Sequence, residues 1–476
     1  MSKLQKALGS KTYFYTAISL IFAIVITAII LVFVNNDFTD IINLTIANPI
    51  LVICIFAVVL VALLTIFVYM YAYDRDKLLT KRYFVLICLG ILLTTILTCL
   101  SSRLVNMYFL PILLSVIIAV VLVGRKCAIA VNIASTIIVG TIFLASSTLG
   151  VTIPISEILC LALTTLLSGC FAVPIFKRQD TRYDLAKNGV ILSLVHLVIA
   201  FLLNLVCTGD FVVALTNAMW QGLSALATVA LFMVLLPILE LTFNLLTAYR
   251  LNEYCTFKHP LLKRMFREAP GTFNHSVSIA NLAEMCAIAI GADAPLARAG
   301  AYFHDVGKLR SPEYFVENQV GGYNPHDDII PEVSARAILS HTTIGYDLLM
   351  QYRFPKQIAD IAREHHGDSA LMYFFNKAQK ITEGKADINA YSYSGPRPST
   401  KEAAIVMTCD VCEAAVRAQA DKPVYEVVDA VITARIQADQ YSDAPLTFKE
   451  IEIIKETITA ALSGAYHKRI DYNPKL

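Results

Sequence analysis

Charged residues are scarce in this chain of 476 residues. Asp, Glu, Lys and Arg together make up 16% of it, whereas hydrophobic residues make up 57%. Soluble globular domains average about 25% charged residues. The shortage excludes an ordinary soluble protein, and most of the hydrophobic excess falls before residue 248. The first half of the chain is therefore predicted to lie in a membrane.

Cysteine is present, but in no pattern that indicates a disulfide framework. The count of eleven is odd, and seven of these residues fall in or near the apolar first half. Cys409 and Cys412 form a CxxC pair, but a second pair that would complete a four-ligand zinc site is missing. The HExxH motif of zinc proteases is also absent. These absences exclude a disulfide scaffold, a zinc finger and a zincin.

Alternating strand-like patterns, internal repeats and low-complexity tracts are absent as well. Apolar residues of the second half recur at helical spacing. The predicted fold class is all-α, with a polytopic membrane domain at 1–240, a linker helix at 241–257 and a helical cytoplasmic domain at 258–476. The net charge of +2 averages two unlike halves and argues neither way about nucleic acid. No nucleic-acid polymer is expected as a partner.

Eight apolar runs approach the length of about 20 residues that a hydrocarbon core requires. They cover roughly 13–34, 49–72, 83–101, 106–124, 127–147, 153–176, 188–207 and 213–240. The first run is longer than a typical signal-peptide core and lacks a cleavage pattern, so it is predicted to be an anchor.

The loops between these runs predict the orientation, because Lys and Arg accumulate on the cytoplasmic side. Thirteen basic residues fall in one set of loops, and Arg103 alone falls in the other set. The thirteen are Lys3, Lys6, Lys11, Arg75, Lys77, Lys81, Arg82, Arg125, Lys126, Lys177, Arg178, Arg182 and Lys187. With eight spans, both termini and the second half are predicted to be cytoplasmic, in a multi-pass protein of the cell membrane. We expect a bacterial source.

Helix boundaries can be predicted at several positions. Pro237 should break or kink the last apolar run. Beyond the linker, Thr272 is a predicted N-cap, Gly291 a predicted helix end and Asp293 the predicted N-cap of the next helix.

The polar half contains an unusual group of metal-ligand side chains. Eight of the nine histidines lie beyond residue 258. Five of them, with two aspartates, form the candidate set His275, His304, Asp305, His341, His365, His366 and Asp410. Mixed imidazole and carboxylate ligation suits iron, manganese or another first-row metal better than calcium or magnesium. If Asp305 bridges two such ions, they can activate a water and hold a phosphate, which predicts phosphoester hydrolysis.

The motif order H…HD…H…HH…D resembles that of the HD-domain phosphohydrolases. Longer runs such as EAPGTFNHSVSIANLAE, AGAYFHDVGKL and SGPRPSTKEAAIVM resemble the seven-transmembrane HD family, across residues 258–476. This resemblance implies a cytoplasmic two-metal phosphodiesterase that cleaves cyclic di-AMP to a linear dinucleotide.

The resemblance also implies roles for individual residues. One metal would be held by His275, His304, Asp305 and Asp410, and the other by Asp305, His341, His365 and His366. Lys308 would face the phosphate.

One feature departs from that family, whose members usually carry a large extracellular domain after the first span. Here the corresponding loop, Asn35 to Pro49, has only about 15 residues. The departure puts extracellular sensing in doubt and leaves the predicted catalysis untouched.

Other assignments stay open at this point. Arg397 and Lys401 flank a Gly/Pro loop and could contact the second phosphate or a base edge, although a solvated loop explains them too. His326 is assigned to a loop that covers the site. The substrate could be another cyclic dinucleotide or nucleotide, or the chain could be a catalytically silent nucleotide-binding membrane receptor. Besides the nucleotide, the expected partners are the lipid bilayer and, as an option, a second copy of the chain.

Overall fold

The protein was analysed as a computed structural model that describes residues 11–34, 48–148, 153–176, 181–319 and 323–465. Within these ranges the chain is helical, and the strand-like pairing it shows is an isolated bridge between Ala370 and Ser392. The all-α prediction is confirmed. The chain divides into two compact units, Met1–Thr247 and Ala248–Leu476, so the division falls inside the predicted linker. The predicted short loop at 35–49 lies almost wholly outside the described residues.

Nine helices are described in the first unit. In chain order they are α1 Thr12–Val34, α2 Pro49–Tyr73, α3 Arg75–Leu79, α4 Lys81–Leu104, α5 Leu114–Ile118, α6 Arg125–Thr148, α7 Ile155–Ile175, α8 Arg182–Thr208 and α9 Phe211–Thr242. All but α3 and α5 are long and apolar enough to cross a membrane. The shortest of these seven has 21 residues, which at about 1.5 Å per residue matches a hydrocarbon core.

The predicted span 106–124 is not a membrane-length helix, and the prediction of an eighth such helix is wrong. Only α5 and a π-helical turn, Ala119–Val123, are helical there. The preceding residues form turns that include Pro111, whose ring removes a backbone N–H. A continuous apolar run therefore did not guarantee a continuous helix.

This broken segment still connects opposite ends of the helix bundle. Lys126 donates to the carbonyl of Tyr73 at 3.3 Å, which places the start of α6 beside the end of α2. Ser147, at the other end of α6, donates to the carbonyl of Ile153 just before α7. Tyr108 donates to Glu157 in the first turn of α7 at 3.1 Å. The chain thus travels the length of α6 between Tyr108 and Lys126.

The packing explains how a broken segment is tolerated in the membrane unit. All residues from Leu110 to Val123 are buried except Val121, which is half-buried. Irregular backbone is acceptable at membrane depth only where protein rather than lipid surrounds it.

The predicted linker helix at 241–257 is also corrected. Helix α9 continues past Pro237, which does not break it, and ends at Thr242. Asn244 then adopts a positive φ of 47°, and a new helix begins at Ala248. Glu240 is buried and accepts a hydrogen bond from the hydroxyl of Thr247, which ties the end of α9 to the turn that follows.

The second unit contains ten further helices among its described residues. They are α10 Ala248–Tyr254, α11 Pro260–Glu268, α12 Pro270–Ile290, α13 Ala294–Phe303, α14 Pro331–Gln351, α15 Lys356–Glu364, α16 Met372–Ile381, α17 Lys401–Ala418, α18 Val424–Gln437 and α19 Phe448–Ala465. Helix α12 packs against α13, α17 and α19, and α15 packs against α13 and α14. Short 3-10 turns at Val306–Arg310, Pro312–Tyr314, Val316–Asn318 and Pro325–Asp327 connect α13 to α14.

Two of the three predicted caps are found. Gly291 ends α12 in a left-handed conformation with a φ of 71°, and the Asp293 side chain accepts from the N–H of Leu296 to cap α13. The N-cap prediction at Thr272 is wrong, because α12 begins two residues earlier with Pro270 at its first position.

We expect the segment between α4 and α6 to place its ends on opposite sides of the membrane. A pair of reporter fusions, one with alkaline phosphatase and one with green fluorescent protein, can be made after Asn106 and again after Lys126. The two positions should give opposite results, because the contacts of Tyr108 and Lys126 lie at opposite ends of α6. The same result at both positions would show that the segment turns back.

Close helix packing in the membrane unit depends on glycine. A Cβ placed on Gly189 of α8 would lie 2.2 Å from Cγ1 of Val229 in α9, and one on Gly222 would lie 2.8 Å from Cδ1 of Leu197. Small residues allow this approach of membrane helices. A Cβ on Gly140 of α6 would meet nothing within 4 Å.

We predict that Gly189→Ala lowers the free energy of unfolding of the detergent-solubilised protein by about 1–3 kcal/mol, the usual cost of overpacking a core, and therefore lowers its melting temperature. Gly140→Ala is the matched control and should be neutral or slightly stabilising, because alanine favours a helix by about 1 kcal/mol over glycine. Thermal unfolding followed by circular dichroism measures both. Equal melting temperatures for the two variants would contradict the packing argument.

Candidate metal centre

The seven candidate ligands come from five helices of the second unit and meet at one place. His275 lies within α12, His341 within α14 and Asp410 within α17. The other four follow helix ends directly: His304 and Asp305 after α13, and His365 and His366 after α15. Six of the seven are buried, and His366 is half-buried.

The carboxylate of Asp305 lies at the centre of this cluster. Its Oδ2 atom is 3.2 Å from Nε2 of His304 and 3.8 Å from Nε2 of His275. Its Oδ1 atom is 3.3 Å from Nε2 of His341 and 3.7 Å from Nε2 of His365. Each oxygen faces a different pair of imidazoles, which is the arrangement that a bridging carboxylate requires.

Asp410 closes the cluster on another side. Its Oδ1 atom is 2.9 Å from Nε2 of His275 and 3.8 Å from Nε2 of His304, and its Oδ2 atom is 3.9 Å from Nδ1 of His366. Ligand atoms lie within 4.8 Å of one another in three groups: His275, His304 and Asp410; His341, His365 and His366; and His304, Asp305 and His365. Apart from Asp305, the first two groups contain the residues expected around separate metals.

Backbone carbonyls fix the orientation of three imidazoles. In each, Nδ1 bonds to the carbonyl three residues earlier, at 2.7 Å for His304, 2.6 Å for His341 and 2.8 Å for His365. A carbonyl only accepts, so Nδ1 carries the proton. In the neutral ring, Nε2 then presents its lone pair toward Asp305.

The donor set fits divalent first-row metals. Within the described residues, Nε2 of His304 and Oδ1 of Asp305 are buried and have no hydrogen-bond partner. A buried polar atom without a partner costs about 1–3 kcal/mol, and a metal ion bound by both atoms would remove that cost. Imidazole nitrogen and carboxylate oxygen suit such an ion.

The charges of the protein alone favour protons where metals would bind. Burial disfavours the charged ring of His304, but the carboxylates of Asp305 and Asp410 outweigh it and raise the pKa of His304 to about 10. The pKa of His275 is raised to about 9 despite burial, by Asp410 and Glu413. Burial and neighbouring imidazoles hold the pKa of His365 well below its usual value. Without metal, the two aspartates are therefore neutralised by two protonated histidines.

Lys308 is held by two carboxylates. Its Nζ atom is 2.7 Å from Oδ2 of Asp305 and 2.8 Å from Oε1 of Glu317. Burial opposes the charged form, yet these carboxylates raise the pKa of Lys308 above its ordinary value. Glu317 also accepts from the hydroxyl of Thr272, and Asn318 bonds to the same hydroxyl. Thr272, predicted as a helix cap, instead fixes this turn against α12.

The two weaker substrate candidates are engaged by acidic side chains. Arg397 binds Asp368 at 2.9 Å through Nε and Asp439 at 2.7 Å through Nη1. Lys401 donates to Glu450. Contact of either residue with substrate stays a prediction.

His326 and the CxxC cysteines have structural surroundings. Nε2 of His326 bonds to the carbonyl of Tyr314 at 2.8 Å, and its ring packs against Phe374, which fits a loop residue. Cys409 and Cys412 are buried, and Sγ of Cys409 lies 3.9 Å from Sγ of Cys286.

Two supporting residues were not predicted from the sequence. Oε2 of Glu413 lies 3.2 Å from Nδ1 of His275 and directs the other nitrogen of that ring into the cluster. Its position three residues after Asp410, on the same face of α17, was the available signal. The ring of Tyr393 stacks on His366 at 4.5 Å with an interplanar angle of 29°. No sequence pattern around Tyr393 indicates that its ring contacts a metal ligand.

Comparison with known proteins agrees with this geometry. Two family descriptions match the chain: "7TM receptor with intracellular HD hydrolase" over residues 49–247 and "HD domain" over residues 272–415. The membrane unit therefore resembles that of 7TM receptors with an intracellular HD hydrolase, and the second unit resembles HD domains. The resemblance drawn from the motifs is confirmed, and the HD domain implies divalent metal binding.

Two relatives of this chain are proteins of the bacteria Bacillus subtilis and Listeria monocytogenes. The chain is 39% identical to "Cyclic-di-AMP phosphodiesterase PgpH" of Bacillus subtilis over 316 residues. The aligned residues make up 64% of this chain and 44% of that protein. The chain is 39% identical over 313 residues to the protein of the same name from Listeria monocytogenes, with 64% and 43% covered. The chain therefore spans less than half the length of these relatives. The crystal structure of the L. monocytogenes PgpH HD domain in complex with cyclic-di-AMP is 45% identical and matches 44% of this chain and 100% of that one, with a TM-score of 0.43.

We predict that metal uptake by this cluster releases protons. At pH 7 His275 and His304 are protonated in the metal-free protein, since their pKa values are raised to about 9 and about 10. Mn²⁺ must displace about two protons, so its affinity should fall as the pH falls below about 9. Calorimetric titration of the full-length protein with Mn²⁺, in buffers of different ionisation enthalpy, measures the number released. His275→Gln should release about one proton fewer; a heat of binding independent of the buffer would contradict the prediction.

Proposed function

We propose that this chain is a membrane-bound, metal-dependent phosphodiesterase that hydrolyses cyclic di-AMP to a linear dinucleotide. The observation that carries the proposal is the buried Asp305 carboxylate, whose two oxygens face two separate pairs of imidazoles. The names of the two PgpH relatives support the choice of substrate.

The ligands divide between two sites that share one residue. His275, His304, Asp305 and Asp410 would hold one ion, and Asp305, His341, His365 and His366 the other, with iron or manganese as the ions. When bound, two divalent ions supply Lewis-acid activation of a water and of a phosphoryl oxygen.

Lys308 contributes a fixed positive charge beside the cluster. Its ammonium has three N–H donors, and Asp305 and Glu317 each accept one. One donor remains for a phosphoryl oxygen. The lysine also stabilises the ionised form of Asp305, whose pKa lies well below its usual value although burial opposes this.

The proposed location is the cell membrane, with the HD domain and both termini in the cytoplasm. The end of the bundle that contains Tyr73 and Lys126 also contains Arg82, which donates to the carbonyl of Asn244. Arg103 lies at the opposite end, over the ring of Phe33. This distribution supports a cytoplasmic location of the basic loops. Residues 1–240 would anchor the protein and residues 258–476 would act on the nucleotide.

We expect Asp305→Ala to reduce hydrolysis of cyclic di-AMP to background, because one residue serves both metal sites. The matched control is Asp443→Ala, which removes an exposed aspartate of the same unit and should retain activity. The measurement is chromatography of the products formed by full-length protein loaded with Mn²⁺ or Fe²⁺.

Three nucleotides should be offered in parallel: cyclic di-AMP, cyclic di-GMP and a guanosine alarmone. Preference for either of the latter would replace the proposed substrate. If the metal-loaded wild-type protein bound cyclic di-AMP without cleaving it, the chain would be a nucleotide-binding receptor, and the proposal would be wrong.

A further inference from the structure

An open groove of about 670 Å³ lies beside the metal centre. One wall is a face of α14, where Val333, Arg336, Ala337 and Ser340 recur at helical spacing. The opposite wall is formed by the 3-10 turns after Asp305 and includes Arg310. The volume lies within the range of small-molecule pockets, about 300–1,000 Å³. The proposed hydrolysis mechanism uses neither Arg310 nor the four α14 residues named above.

The groove is positively charged. Its lining includes Arg310 and Arg336, both exposed, and its described lining contains no carboxylate. Across the part of the chain that the structure describes, neither guanidinium forms a hydrogen bond or an ion pair. Two unpaired arginines in one groove leave up to ten N–H donors for an anion.

The remaining lining combines apolar, aromatic and hydroxyl groups. Tyr314 and Phe315 come from the 3-10 turns, and Ser311 and Ser340 add hydroxyls on opposite walls. Aromatic rings can stack on a nucleobase, and arginine with serine binds phosphate oxygens. A mixture of this kind suits a nucleotide better than an inorganic anion or an apolar ligand.

Phe315 links the groove to the catalytic cluster. Its buried ring lines the groove, lies beneath the ammonium of Lys308 at 4.9 Å and contacts the His341 ring with centroids 5.7 Å apart. Gly307 and His341 also line the groove. A ligand in the groove would therefore contact His341, whose Nε2 atom lies 3.3 Å from Oδ1 of Asp305.

We propose that this groove is a second nucleotide site, in which Arg310 and Arg336 bind a phosphate and the aromatic and apolar wall binds a base. Two ligands have the phosphate and the base that this site would bind. One is the distal half of the cyclic dinucleotide substrate, whose other phosphate is at the metals; this case rests on the proposed phosphodiesterase function. The other is a separate mononucleotide.

The test uses the full-length, metal-loaded protein and the double variant Arg310→Ala/Arg336→Ala. Arg267→Ala is the matched control, because Arg267 is an exposed arginine that pairs with Glu268 and does not line the groove. The double Arg→Lys variant keeps both charges and should recover part of the binding. Melting temperatures of all variants check that they fold.

Two measurements distinguish the distal half of the substrate from a separate mononucleotide. If the groove takes the distal half of the substrate, the KM for cyclic di-AMP should rise about ten-fold or more, the scale of a lost charge-assisted hydrogen bond, with a smaller change in kcat. If it takes a separate nucleotide, that KM should stay constant, and equilibrium dialysis should show loss of 5′-AMP binding.

Unchanged KM and unchanged 5′-AMP binding in a folded double variant would overturn the proposal. If the wild-type protein hydrolyses nothing, the proposed function fails, but 5′-AMP binding that depends on the two arginines would still support the groove.

Discussion

The ionised carboxylate of Asp305 is the group around which the second unit is organised. A buried charge is costly unless opposite charges and hydrogen-bond donors surround it. Here the compensation comes from His304 beside it, Lys308 one turn later, and imidazoles delivered by α12, α14 and α15. No single helix could supply these partners. The packing of the helices and the charge state of the cluster therefore depend on each other.

Backbone packing determines how closely the elements approach that carboxylate. A Cβ on Gly307 would lie 1.9 Å from the carbonyl oxygen of His341, so the turn after Asp305 can rest on α14 only without a side chain there. In the same region Lys308 contacts Glu317, and the Phe315 ring contacts both Lys308 and His341. The turn after Asp305 therefore contributes to the metal cluster and to the wall of the groove.

A different constraint governs the first unit, where the backbone must satisfy its hydrogen bonds without water. Seven long helices do this internally. The segment between α4 and α6 does not, and it is accordingly surrounded by protein. Gly189 and Gly222 bring α8 and α9 into close contact, which supplies packing where lipid offers no hydrophobic driving force.

The sequence by itself determined the helical class, the membrane half, the seven candidate ligands and the family resemblance, because composition, periodicity and motif order are local properties. It also indicated Gly291 and Asp293 as helix boundaries, since caps depend on adjacent residues. It could not determine that the predicted helix at 106–124 would be broken, because an apolar stretch has the same composition whether protein or lipid surrounds it. Nor could it reveal Tyr393 on His366, Glu413 behind His275 or acidic partners for Arg397 and Lys401. Those contacts join residues distant in the chain or depend on side-chain direction, so only the tertiary structure, by deciding which helix faces meet, could define them.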